Sequence, residues 1–61
     1  MENEFIDNVL RRLLELPTDI QDMSLRNAKI IMDNWAEISD SLTSRAIEHE
    51  YYEICAILRD I

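Results

Sequence analysis

The chain has 61 residues, 48% of them hydrophobic and 31% charged, with 13 acidic side chains against 6 basic ones and a net charge of −7. That length holds at most one small domain, near the lower limit for a self-sufficient core, and the acidic balance repels phosphate backbones and anionic membrane surfaces alike. A single cysteine, Cys55, excludes an internal disulfide, and the lack of glycine excludes a glycine-rich phosphate loop.

With no glycine and one proline, Pro17, the chain lacks the punctuation that β hairpins need, and it reads as helix throughout. Phe5, Ile6, Val9, Leu10, Leu13, Leu14 and Leu16 form a broad apolar stripe at helical spacing. Asp7 and Arg11 stand four apart on the opposite side, the pattern of a solvated pair. Pro17 disfavours α geometry at Leu16, so the first helix is predicted over 3–16.

Thr18 and Gln21 match a capping box: the hydroxyl accepts from the third amide while the carboxamide reaches back, and Asp19 adds favourable charge. Ser24 is a rival cap, so the second helix begins at 19 or 24. From Ala28 the apolar positions Ala28, Ile31, Trp35, Ile38 and Leu42 alternate three and four, carrying that helix to about 39. A further stripe, Ile47, Tyr51, Ile54, Leu58 and Ile61, is spaced four, three, four, three. The two stripes do not join in phase, because extending the first past Leu42 would place Arg45 and His49 inside. The run Ser39, Asp40, Ser41, Leu42, Thr43, Ser44 is rich in capping groups and is the expected turn, followed by a third helix over 43–60. The alternative is a helical hairpin with one long bent C-terminal helix, running from about residue 25 to residue 60.

Few residues suit chemistry. His49 lies beside Glu48 and Glu50 and four before Glu53, half of a metal site at best, and no second histidine exists to complete it, so a surface histidine is expected. Cys55 sits between Ile54 and Ala56 with Arg59 as its one basic neighbour at helix spacing, the setting of a buried small hydrophobe rather than a nucleophile. Carboxylate pairs such as Glu50 and Glu53 are expected by chance in so acidic a chain. No catalytic, cofactor-binding or metal-ligating residue is assigned, and a non-enzymatic protein is expected.

The large side chains carry more information. Tyr51 and Tyr52 are adjacent, so at least one must face away from the core, and aromatic residues left outside a small core favour contact with another chain. The fold expected is all-α: a small three-helix antiparallel unit completed by two-fold homodimerisation through its last two helices. Ile47, Tyr51, Ile54 and Leu58 would form the seam. Tyr52 belongs at its rim, and Trp35, whose simpler place is the core, joins the candidate contact set. The function expected is a protein-protein interaction module, a small regulator, adaptor or assembly component whose partner presents a basic or apolar patch. The alternative is an acidic inhibitor or antitoxin-like protein that masks a basic surface of an enzyme or nucleic-acid-binding protein. Direct nucleic-acid and membrane binding are not expected. A start of Met1, Glu2, Asn3, Glu4, without the basic residues of a secretory signal, and no apolar stretch of about 18 residues point to the cytoplasm.

Overall fold

Four helices, not three, are built from these stripes. The computed structural model describes residues 3–61, in which α1 (Asn3–Leu14), α2 (Thr18–Ile31), α3 (Trp35–Glu48) and α4 (Tyr52–Asp60) form a four-helix bundle. Both the three-helix antiparallel unit and the hairpin with a long bent helix are thereby overturned, and so are the helix limits 19/24–39 and 43–60.

The first turn keeps the expected place but not the expected capping. α1 ends at Leu14, and Glu15 and Leu16 tighten it with bonds to the Arg12 carbonyl at 3.2 Å and the Leu13 carbonyl at 3.0 Å. Four residues on from Leu13 stands Pro17, which has no N–H to offer. Gln21 supplies the donor instead, its Nε2 reaching the Leu13 carbonyl at 2.8 Å and the Leu16 carbonyl at 3.2 Å. The capping box is therefore not formed: Thr18 is the first helical residue of α2 and caps nothing, while the Asp19 carboxylate accepts from the Ile20 N–H at 3.0 Å. Ser24 lies inside the helix.

The second break falls at Met32, Asp33 and Asn34, where the expected stripe ran straight through. Met32 is extended, with φ −92° and ψ 122°, though its N–H still bonds the Ala28 carbonyl at 2.9 Å. Asp33 and Asn34 are turn formers, and the regular spacing of Ile31 to Trp35 bridges two different helices. The expected turn at 39–44 is instead the middle of α3. There the Ser39 hydroxyl donates back to the Ala36 carbonyl at 3.1 Å, so the polar run is satisfied along the helix rather than by capping. Its phase is preserved as well: Arg45 and His49 do turn toward α1, where Asp7 meets them.

α3 ends at Glu48, and two residues on, Glu50 adopts φ 63° in the left-handed region. Its N–H bonds the Ile47 carbonyl at 3.0 Å and the Tyr51 N–H bonds the Ala46 carbonyl at 2.8 Å, the paired bonds of a Schellman motif. Glycine usually occupies that position, and a chain without glycine uses glutamate.

Ile6, Leu10 and Leu13 of α1, Leu25 of α2, Ile38, Leu42 and Ala46 of α3, and Ile54 and Ile57 of α4 form one core. α3 packs on α1 and on α4, and α4 packs on α2, whereas α1 and α2 part from each other beyond their turn. The radius of gyration, 10.4 Å, matches the roughly 10.5 Å expected of a compact chain of this length. Among the described residues no helix is long and apolar enough to cross a membrane.

Candidate functional site

Where α1 and α2 part, an apolar cleft of about 140 Å³ opens. Phe5 and Val9 of α1 form one wall, Leu25 and Ala28 of α2 the other, and Ile38 and Leu42 of α3 the floor, with Met32 and Trp35 also lining it. Its position follows from which side of each helix is already occupied. On α1, Asp7 marks the side facing α3, and Phe5, Val9 and Arg12, at helical spacing, lie on the opposite side. On α2, Lys29 donates to the main-chain oxygen of Ile61 and marks the side toward α4, while Ile20, Ser24, Asn27 and Ile31 run along the other. Ile20 and Ser24, near the turn, are half-buried; Asn27 and Ile31, farther along, are exposed, as diverging helices require.

The consequence is apolar surface held in water. Phe5 is 53% exposed and Ile31 76%. No charged residue lines the cleft, although the chain has 13 acidic residues. Charge depletion beside exposed apolar groups is the composition of an interface centre.

The residues expected to make contacts are placed differently from one another. Trp35 is half-buried and lines the cleft. Ile54 is 0% exposed inside the core of a single chain, and Leu58 packs half-buried against it. Tyr51 is half-buried with its ring stacked on His49, centroids 5.1 Å apart and planes at 19°. Ile47, 55% exposed, and Tyr52 face outward. Ile47, Tyr51, Ile54 and Leu58 therefore lie at different depths and present no single open face. Sequence reasoning missed Phe5 and Ile31 as surface residues; the available signal was that the first stripe, with Leu14 and Leu16 also exposed, is wider than one small bundle can cover.

A polar cluster ties α1 to the end of α3. The Arg45 guanidinium grips Asp7 with two bonds, Nε to Oδ1 at 3.0 Å and Nη2 to Oδ2 at 2.7 Å, while Nη1 reaches Glu48 at 2.6 Å. His49 Nε2 lies 3.3 Å from the same Asp7 oxygen. Arg45's hydrogen bonds hold the Asp7 carboxyl at about 2, down from 3.8, against the opposing effect of partial desolvation, and His49 adds to the lowering. Asp7 in turn raises Arg45 above its usual value. A carboxylate so firmly charged and bidentately held is a poor general base, and the geometry is that of a tether. The expected Asp7 and Arg11 pair is not made; Arg11 bonds Asn8. Cys55 is a free, half-buried thiol packed against the core, and among the described residues no group of three or more His, Cys, Asp or Glu is placed to hold a metal ion. No protein-family model, curated protein or solved structure matches this chain.

Proposed function

We propose that this all-helical chain is a non-enzymatic protein-interaction module, a small regulator, adaptor or assembly component that acts through the face shared by α1 and α2. The observation that carries the reading is the open apolar cleft with the exposed Phe5 in its wall, on a bundle whose α2 also leaves Ile31 exposed. Contact through such a face persists at high salt, because it rests on apolar burial. A second reading, an acidic inhibitor that masks a basic surface, draws on the charge of −7 and predicts binding that salt abolishes. The test is capture by the tagged full chain at low and high salt, comparing wild type with Ile31→Lys and Ile47→Lys. Partners that survive high salt and are lost only with Ile31→Lys support the module. Capture abolished by salt and indifferent to Ile31 overturns it in favour of the inhibitor.

A further inference from the structure

We propose that the corner at Glu50 is a hinge, through which α4 leaves its own bundle and fills the same place in a second copy, so that two chains exchange their last helix. The inference goes beyond the interaction reading and does not depend on it. Among the described residues Glu50 alone has positive φ, at 63°, and it bears a side chain where that conformation favours glycine. The corner also leaves α4 poorly started. Its N-cap, Tyr51, makes no side-chain cap, so the Tyr52, Glu53 and Ile54 amides have no partner within a helix. Straightening removes both defects. No glycine or proline lies between Trp35 and Asp60, so α3 and α4 can run on as one helix of about 39 Å. The hydrogen bonds of the corner are kept: Glu50 and Tyr51 donate to Ile47 and Ala46, and in a straight helix the same two amides serve the same two carbonyls in the opposite pairing. The Tyr52, Glu53 and Ile54 amides gain the carbonyls of Glu48, His49 and Glu50.

A straight helix cannot keep α4 in its own bundle, and Ile54, 0% exposed, would be wetted together with Ile57. The α4 of a second copy fits the place it leaves, since it is the same helix bringing the same side chains to α2 and α3. The core contacts are thereby restored, and the two forms differ at the corner and in their dependence on concentration. An exchanged pair carries two α1–α2 faces on one particle, which suits an assembly component. Two effects hold the corner closed. His49 stacks on Tyr51 across it, a contact that residues two apart on a helix do not make. In the exchanged pair the straightened corners lie side by side and bring Glu48, Glu50 and Glu53 of two chains together, a repulsion that salt screens.

Sedimentation equilibrium of the purified full chain over a wide concentration range, at low and high salt, tests the hinge with Glu50→Gly and Glu50→Ala beside wild type. The expected result is a monomer and dimer in equilibrium, with the dimer strengthened by salt. Glycine suits the left-handed corner and disfavours the helix, and both effects count in each of two chains, so Glu50→Gly should weaken the dimer on the order of 100-fold. Alanine keeps the strained corner, favours the straight helix and removes a carboxylate, so Glu50→Ala should strengthen the dimer about 10-fold. Both substitutions lie outside the core and leave the bundle folded. Wild type and Glu50→Ala monomeric at every concentration and salt overturn the exchange while leaving partner capture, and with it the interaction module, intact. Equal strengthening by glycine and alanine overturns it in favour of a surface contact that the Glu50 charge opposes. A dimer indifferent to both but broken by Ile31→Lys overturns it in favour of contact through α2.

Discussion

Gln21 illustrates how one side chain answers to a distant demand rather than to its local motif. Thr18 and Gln21 have the spacing of a capping box, and nothing in that spacing warns that the box is empty. The competing demand is created by Pro17, whose missing N–H leaves the Leu13 carbonyl short of its helical partner; a buried carboxamide donating at 2.8 Å is worth more there than at a solvated helix start. The Gln21 Oε1 atom is left without a partner, which is the cost of that choice. Gln21→Leu should therefore lower stability by about 0.5–1.5 kcal/mol, the net worth of a hydrogen bond, because the Leu13 carbonyl keeps the Leu16 N–H and the unpartnered Oε1 goes with the carboxamide. Gln21→Glu should lower it further at neutral pH, because a carboxylate would face two carbonyl oxygens. Urea denaturation with an unchanged slope reads both; a Gln21→Glu variant as stable as wild type contradicts the account.

At the scale of elements, apolar spacing identified helix everywhere and misplaced where the helices stop. The reason is physical: with no glycine, the chain ends α2 and α3 with residues that also occur inside helices. Asp33 and Asn34 were readable as turn formers, but the spacing from Ile31 to Trp35 ran across them without a fault. Ser39 to Ser44 looked like a turn and is helix, because hydroxyls that bond back along the helix do not need to cap. Glu50 had no signal at all, since a left-handed glutamate is set by the packing of α4 against α3 and not by its own preference. That conformation costs a non-glycine residue about 1–2 kcal/mol. Glu50→Gly should recover about 1 kcal/mol, the remainder being offset by glycine's greater freedom when unfolded. Glu50→Ala keeps the same backbone penalty and should change stability little, so the pair separates backbone relief from loss of charge. Thermal melts of the three chains decide it: equal gains from glycine and alanine would assign the effect to charge.

For the whole molecule, nine buried apolar residues drawn from four helices form one core, while large apolar side chains such as Phe5, Ile30 and Ile31 stay exposed outside it. Of the candidate contact residues, Trp35 lines the cleft, Tyr52 and Ile47 are on the surface, and Ile54 is core; which side of a helix faces water was not legible, because it depends on the two turns that the stripes concealed. The same turns bring Asp7 and Arg45, 38 residues apart, into the contact that ties α1 to α3. Its contribution to acid stability has a definite sign. Asp7 titrates near 2 when folded and near 3.8 when unfolded, so the unfolded chain takes up its proton first as pH falls. The stabilisation is thus complete above about pH 5, declines from about pH 4, and is gone only below about pH 2, once the folded carboxyl is protonated as well. The other carboxylates work in the opposite direction over the same range, since protonating them relieves the self-repulsion of a chain at −7. Only a difference isolates the tether: the stability gap between wild type and Asp7→Asn should be constant from pH 5 to 7 and close as pH falls from 4 toward 2, measured by denaturant titration at each pH. A gap that holds its size down to pH 2 would mean that Asp7 contributes through its shape and not through the charge that Arg45 holds.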